Sequence, residues 1–349
     1  MKIGFVVNQI ATEEAWYDTT LLSSNAVQRG HEVYVMEVGD LMYLENGHMG
    51  APAIKVSNSK FRNLENYLKH IQDKEAERIK VSSKELDVLF LRNNPSEEER
   101  ARNWAKTAGM IFGQIAVEKG VLVLNDPYSL MTSYNKMYFQ HFPEEVRPRT
   151  IISRNIDEIK EFYKKEGEKI ILKPLQGSGG KDVFLIDNTT NINQIVETIS
   201  RYDFLIAQEY LPEAKDGDTR VIMINGKILE VKGKPAAMMR QNKAGDIRSN
   251  IHAGGVPVKA QMTDAIRRLC AMVAPKLKKD GMFMAGIDIV GNKIMELNLD
   301  SPGGIVSIEK LQKEKFAAEI IIAIEKKIEY QRYYQGKLPN AYLATLDIA

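Results

Sequence analysis

Short apolar runs and amphipathic stretches alternate along the first third of the chain. Lys2-Ile3-Gly4-Phe5-Val6-Val7-Asn8 reads as a first strand. Asp18-Thr19-Thr20 offers N-cap residues for a helix running to Gln28-Arg29, and Gly30 stops it. His31 to Met36 alternates into a second strand, completing a β-α-β unit with a right-handed crossover. A second unit follows. Asp87-Val88-Leu89-Phe90-Leu91 is a strand, and Ser96-Glu97-Glu98-Glu99 is a capping box for a helix to about Lys119. Val121-Leu122-Val123-Leu124 returns as a strand. The polar stretch from Tyr43 to Lys84 predicts a hairpin and a charged helix.

The rhythm then changes. Strands are expected at Arg149–Ser153, Lys169–Lys173, Val183–Ile186 and Phe204–Gln208, with helices at Ile156–Lys165 and Ile192–Ser200. This β-α-β-β-α-β pattern has the size of a separate lobe. Two hairpins follow, turning at Asn225-Gly226 and Gly291-Asn292. Helices are expected over 262–279 and 313–329. The last residues carry Tyr330, Tyr333, Tyr334 and Tyr342 without clear periodicity and read as a docked tail. The expected divisions fall at 1–125, 126–208, 209–330 and 331–349.

Inside the lobe, Ile170-Ile171-Leu172-Lys173-Pro174-Leu175-Gln176-Gly177-Ser178-Gly179-Gly180-Lys181 holds the densest chemistry. A lysine closes a strand and a glycine-rich loop follows. Such a loop lets backbone N–H groups converge on an anion, with Lys173 adding charge. It is either a nucleotide phosphate clamp or a flexible turn between buried strands. It is not a Walker A loop, because no Gly-Lys-Ser/Thr opens a helix here. Further on, Gln208-Glu209-Tyr210-Leu211-Pro212 ends a strand that either offers backbone groups to an adenine edge or makes an ordinary exit. If Gly291-Asn292 is a turn, Asp288, Glu296 and Asn298 project from one region of one sheet face. Two carboxylates and an amide oxygen suit Mg²⁺ carrying nucleotide phosphates, although a half-solvated hairpin has the same pattern. Arg240, Arg248, Ser249 and Asn250 lead into Gly254-Gly255. The arginines can grip carboxylates in bidentate fashion or sit on a solvated loop.

Composition narrows the classes. The 349 residues carry a net charge of +2, which argues against a nucleic-acid binder held by a basic field. The single Cys270 excludes an intrachain disulfide and a cysteine-based zinc site. It lies on a helical apolar face with Met262, Ile266, Leu269, Val273 and Leu277, as a buried structural thiol. The five histidines have no metal-ligand spacing. No apolar run is long enough to span a bilayer, and the N-terminus reads as a strand and not a signal peptide, so the cytoplasm is the expected compartment.

The order of Lys136, Lys173, the glycine loop, Gln208-Glu209-Tyr210-Leu211, Asp218-Thr219-Arg220, Arg248-Ser249-Asn250, Asp288 and Glu296-Leu297-Asn298 resembles the ATP-grasp superfamily. Ile171-Leu172-Lys173-Pro174-Leu175, Tyr210-Leu211-Pro212, Lys215-Asp216-Gly217-Asp218 and Gly286-Ile287-Asp288-Ile289 are similar to the bacterial glutathione synthetases. That likeness implies an α/β (α+β) ATP-grasp fold. An N-terminal doubly wound α/β domain would precede a central lid lobe and a C-terminal ATP-binding domain, with ATP between two antiparallel sheets. Lys136 and Lys173 would touch the phosphates under Gly177, Ser178, Gly179 and Gly180. Gln208, Glu209, Tyr210 and Leu211 would border the adenine, and Asp218 the ribose and phosphates. Asp288, Glu296 and Asn298 would hold two Mg²⁺, replaceable by Mn²⁺. Arg220, Arg248 and Asn250 would face the acceptor acid and its phosphorylated form. Asp18, Thr19, Thr20, Arg240, Ser301, Gly303 and Gly304 would line the substrate pocket. A homo-oligomer, a tetramer, is also implied, with small-molecule or dipeptide substrates and neither nucleic acid nor membrane as partner.

Two departures bear on the acceptor side. Where the family usually has Arg-Lys-Asp-Pro-Pro, this chain has Arg92-Asn93-Asn94-Pro95-Ser96. Where it often has Thr-Ser-Pro-Thr, this chain has Asp300-Ser301-Pro302-Gly303. The turn region Glu230–Pro235 is also longer than usual. The resemblance implies ligation of γ-glutamylcysteine to glycine through an acyl phosphate. The other readings are a sibling ligase for a different acid and amine, and a non-catalytic nucleotide-binding protein. The last predicts loss of a metal ligand or a phosphate lysine, and all are present.

Overall fold

The computed structural model describes residues 1–57, 60–177, 182–242 and 255–347. Its first sheet has seven strands: β1 (Lys2–Val7), β2 (Glu32–Glu37), β3 (Met42–Tyr43), β4 (Met49–Val56), β5 (Arg78–Ser82), β6 (Val88–Leu91) and β7 (Leu122–Leu124). Their order is β3-β4-β2-β1-β6-β7, with β5 also on β4. The β2-β1-β6-β7 centre is parallel, as crossover helices require, and the remaining pairs are antiparallel. Side chains of β1 alternate. Ile3, Phe5 and Val7 pack with Leu21 and Leu22 of α1 (Asp18–Gln28) and with Tyr67 and Ile71 of α2 (Leu64–Ile71). Val6 faces the other way, into the cluster that holds Ala108 and Met110 of α3 (Ala105–Glu118). The hairpin and charged helix expected between Tyr43 and Lys84 are both present, as β3-β4 and α2.

One helix start is corrected. Ser96-Glu97-Glu98-Glu99 does not open a helix. The side chain of Asn94 accepts from Ser96 N at 3.1 Å and sets up a 3-10 turn at Pro95–Glu97. A second short turn follows before α3 begins at Ala105. Asx capping by Asn94 and the fixed φ of Pro95 outcompete the box three residues on. Asp18 is likewise not an N-cap. Tyr17 holds that position, and Asp18 begins α1 itself.

After the short α4 (Pro127–Thr132), the lobe contains β8 (Thr150–Ser153), α5 (Ile156–Lys165), β9 (Ile170–Pro174), β10 (Phe184–Ile186), α6 (Ile192–Ser200) and β11 (Leu205–Glu209). Its antiparallel sheet runs β10-β9-β11-β8. Ile159, Phe162, Ile170, Leu172, Val196 and Leu205 give it a core of its own.

The last sheet is built from β12 (Asp218–Ile224), β13 (Lys227–Ile228), β16 (Ala237–Gln241), β17 (Val256–Lys259), β18 (Met284–Val290) and β19 (Lys293–Asn298). A separate two-stranded ribbon, β14 (Glu230–Val231) and β15 (Lys234–Pro235), occupies the longer turn region. Asn225 and Gly226 both have positive φ, 53° and 68°, as a two-residue hairpin turn matching strand twist demands. α7 (Asp264–Lys279) buries Cys270, whose thiol burial pushes up to about 12. α8 (Ile305–Gln312), α9 (Phe316–Tyr333) and α10 (Asn340–Thr345) complete the chain. The tail is docked: Asn340 donates to Val123 O at 3.0 Å and accepts from Val123 N at 2.9 Å.

Candidate active site

A cleft opens between the lobe sheet and the last sheet. Lys173 and Gln208 reach it from β9 and β11, Glu296 and Asn298 from β19, and Lys136 from a 3-10 turn at Lys136–His141. That turn is pinned to the lobe by Lys136 N donating to Leu175 O at 3.1 Å, and the Lys136 ammonium donates to Gly177 O. Lys173 is buried and its ammonium donates to Gln208 Oε1 at 3.1 Å. Burial and the nearby Lys136 charge lower its pKa to about 8, against the pull of Glu296. Two cations, the backbone of Gly177 and the partly exposed Glu296 thus meet where a polyphosphate would find positive charge.

Asp288 and Glu296 are directly paired across β18 and β19, and Asn298 Nδ2 lies 3.2 Å from Asp288 Oδ2. The three oxygen-bearing groups converge as the sequence anticipates. They differ in how freely they can act. Among the described residues, the ion pair Glu296 makes is with Lys136, at 3.8 Å. Asp288 is fully engaged: Arg220 grips it with Nε and with Nη2, the latter at 2.8 Å, and Arg240 Nη2 lies 2.8 Å from Oδ2. Burial works to raise the Asp288 pKa, but the two guanidinium groups win and hold it at about 2. Hard oxygen donors facing the cleft are the chemistry a divalent cation needs, so the residues fit one.

Arg220 and Arg240 are buried within this network. Arg240 also clasps Asp218, its cross-strand partner, and Arg220 donates to Gly303 O at 2.8 Å. Asp218, expected near the ribose, therefore meets Arg240 in the sheet, and burial followed by the Asp288 charge raises its pKa despite that arginine. Glu209 is buried and ion-paired with Arg149. The Tyr210 ring sits 4.2 Å beneath the Lys169 ammonium, and Leu211 leads into a 3-10 turn. Ser178, Gly179, Gly180, Arg248, Ser249 and Asn250 lie outside the described residues.

Of the residues expected to line the substrate pocket, Ser301 lines the cleft, whereas Asp18, Thr19 and Thr20 are buried. Asp18 accepts from Ile305 N at 2.8 Å and Val306 N at 3.1 Å, so it caps α8. Thr19 accepts from Arg92 Nε at 3.2 Å, and Thr20 donates to Glu14 O at 2.9 Å. Arg92 Nη2 donates to Pro302 O at 3.0 Å, fixing the 301–304 turn against the first sheet. Gly304 has φ 122°, and a Cβ there would lie 2.8 Å from Met238 Cε, so the turn needs glycine. The sequence reading did not single out Tyr134 or Asp300 as site residues, yet both line the cleft. For Asp300 a signal existed: Glu296, Asn298 and Asp300 are spaced by two along an extended strand end.

Known proteins carry the same pattern. The model for the prokaryotic glutathione synthetase N-terminal domain matches residues 1–131, and that for the prokaryotic glutathione synthetase ATP-grasp domain matches residues 135–313. A relative from Buchnera aphidicola subsp. Schizaphis graminum, a glutathione synthetase, is 34% identical over 94% of this chain and 98% of its own. The Escherichia coli (strain K12) glutathione synthetase is 30% identical over 95% of this chain and 100% of its own. Among solved structures, D-cycloserine synthetase DcsG superposes with a TM-score of 0.64 at 12% identity, covering 94% of this chain and 100% of that one. The ATP-grasp ligase PsnB gives 0.60 at 14% identity, covering 93% of this chain and 98% of its own. At such identities the structural likeness establishes the fold alone.

Proposed function

Because the chain belongs to the prokaryotic glutathione synthetase family and is an ATP-dependent ligase forming a C–N bond, we propose that it joins γ-glutamylcysteine to glycine. The observation that carries this reading is the convergence of Lys136, Lys173, Glu296 and Asn298 on one cleft between two sheets.

A carboxylate resists attack by an amine because its charge repels the nucleophile and its oxygen is a poor leaving group. Phosphorylation removes both obstacles. The terminal carboxylate of the dipeptide attacks the γ-phosphorus of ATP, ADP leaves, and an acyl phosphate results. The glycine nitrogen attacks the acyl carbon, phosphate departs, and the nitrogen gives up a proton as the amide forms. Phosphoryl transfer of this kind needs positioning and charge neutralisation more than a covalent nucleophile. Lys136 and Lys173 supply fixed positive charge to the phosphates. Glu296 and Asn298 offer oxygens to Mg²⁺, with Asp288 behind them. A metal held there would neutralise charge on the phosphate oxygens, and we assign two ions, Mg²⁺ or Mn²⁺, to the site. Arg220 and Arg240 act chiefly by holding Asp288 and the 301–304 turn in place. Residues 126–208 form the lid lobe over the nucleotide. Gln208, Glu209, Tyr210 and Leu211 border its base, with Asp218 toward its ribose and phosphates. Ser178, Gly179 and Gly180 complete the phosphate loop with Gly177, and Arg248 and Asn250 serve the acyl phosphate. We place the enzyme in the cytoplasm as a homo-oligomer, a tetramer.

The test is Mg²⁺-dependent ADP release with γ-glutamylcysteine and glycine, the amide confirmed by mass. Glycine-dependent glutathione formation supports the proposal. ATP binding without turnover on this pair overturns it in favour of a sibling ligase for another acid and amine, which the changes at Asn93, Asn94 and Asp300 would explain.

A further inference from the structure

The turn that carries Lys136 is tied to two different parts of the molecule. Its first residue belongs with the lobe: Lys136 N donates to Leu175 O at 3.1 Å, and the ammonium donates to Gly177 O. Two residues on, the buried Tyr138 also lines the cleft, but its hydroxyl donates to Asp280 Oδ2 at 2.6 Å, at the end of α7 on the last sheet. Burial and then the Asp280 carboxylate push the Tyr138 phenol up, so it stays protonated and donates. Lys276 donates to the same oxygen at 2.7 Å, and its ammonium lies 4.8 Å from the centre of the Tyr138 ring.

Asp280 is a firm anchor. Gly281 N donates to Lys278 O at 3.1 Å and Met282 N to Leu277 O at 2.9 Å. These paired bonds close a helix on a left-handed glycine, and Gly281 has φ 65°. A Cβ on Gly281 would lie 2.6 Å from Ala341 Cα, so α10 is pressed onto this helix end. Thr345 holds it there, donating to Lys278 O at 3.0 Å. The docked tail thus braces the residue that Tyr138 grips. The helix itself gains little from an acid at this position. A carboxylate at a C-terminus opposes the helix dipole, and a lysine four residues before an acid is the weaker order of such a pair. Beyond its own helix, the carboxylate meets Tyr138.

We propose that Asp280 is a positioning residue for ATP binding: through Tyr138 it fixes the Lys136 turn to the last sheet, so that the ammonium meets the phosphates at a set place while the lobe carries the other tether. This rests on the reading above for the contact between Lys136 and the phosphates, and does not depend on which acid or amine is joined. A phosphate-binding charge misplaced by about 1 Å loses much of its effect. The phenol O–H is the part that holds the turn, whereas the ring alone would only fill space.

The test measures the dissociation constant of ATP with Mg²⁺ by calorimetry, without acid or amine, and follows the thermal unfolding of each variant. Tyr138→Phe keeps the ring and removes the O–H, and Asp280→Ala removes the acceptor. Each should weaken ATP binding by about 3- to 10-fold, the part of one charged hydrogen bond that reaches Lys136. Asp280→Asn, whose side-chain carbonyl still accepts from the phenol, should recover most of that loss. In a Lys136→Ala background, itself weaker than wild type, Tyr138→Phe should add no further loss, because the two groups act in series. Unchanged ATP affinity in Tyr138→Phe overturns the proposal even if its Tm falls, since the hydrogen bond then serves packing alone. So does an undiminished effect of Tyr138→Phe in the absence of the Lys136 ammonium, which would make Tyr138 itself a nucleotide contact, and so does failure of Asp280→Asn to rescue. Should Asp280→Ala not fold, Tyr138→Phe and Asp280→Asn decide between them. If Lys136→Ala binds ATP as tightly as wild type, the phosphate assignment of Lys136 falls and the proposal with it. If Lys136→Ala weakens binding and Tyr138→Phe does not, that assignment stands and the role of Asp280 alone is lost.

Discussion

Lys173 is placed so that its charge depends on conditions a phosphate-binding lysine usually ignores. Its ordinary pKa of 10.5 falls to about 8 through burial and the Lys136 charge. As pH rises through 8 the free enzyme loses this cation, so kcat/KM for ATP should decline with an inflection there. Residual activity of Lys173→Arg should lack the inflection. The stability sign is opposite. Between pH 8 and 10.5 the unfolded chain holds more protons than the folded one, so the Lys173 contribution to stability rises with pH. Glu296 makes the complementary case. Its sole described ion pair is long, 3.8 Å, and it is partly exposed, so Glu296→Ala should leave thermal unfolding unchanged. Turnover should fall by about 10²- to 10³-fold, the cost of removing a group that places transition-state charge. Normal activity in that variant would remove Glu296 from the proposed metal site.

At the scale of elements, α8 depends on a residue far away in sequence. Gly304 at its N-cap has no side chain, and the Asp18 carboxylate takes its first two N–H groups. Asp18→Ala should therefore cost about 1–3 kcal/mol in urea unfolding, more than an exposed cap, because two buried donors lose a charged acceptor. Loosening the 301–304 turn should also raise the KM of the acceptor acid. The same dependence explains what the sequence could and could not reveal. α5 and α6 were readable to the residue, because each starts at an Asn cap and alternates apolar and polar faces locally. α8 was not anticipated, since its cap lies 287 positions away. The convergence of Asp288, Glu296 and Asn298 was legible from one hairpin turn. The mutual quenching of Asp218, Arg240, Asp288 and Arg220 was not, because it follows from the register of β12 between β16 and β18, which no local pattern encodes.

Among the described residues, the lobe alone closes a core from its own contiguous sequence. The other two apolar clusters draw on both ends of the chain. Ile3, Phe5 and Leu22 share one with Phe283, Ile320, Ile321 and Ile324. The junction is reinforced by Arg29 and His31, both 2.7 Å from Glu325, and by Asn125, which donates to Met284 O at 2.8 Å and Leu299 O at 2.7 Å. Lys327, with no exposed surface, donates to Asn225 Oδ1 at 2.8 Å and Leu346 O at 2.6 Å, and burial lowers its pKa from 10.5 to about 7. Its contribution to stability should climb as pH rises from 7 to 10.5, so the stability difference between wild type and Lys327→Met should shift in favour of wild type across that window. A difference independent of pH would mean that the lysine titrates normally.

The packing of α9 against α1 has a consequence for synthesis. Translation delivers the first sheet long before the helix that covers its apolar helical layer. Leu22, Ala26 and their neighbours stay open to solvent until Ile320, Ile324 and Ile328 leave the ribosome. The nascent N-terminal layer thus waits, sticky and unfinished, for residues made long after it, while the lobe between them can already be folded.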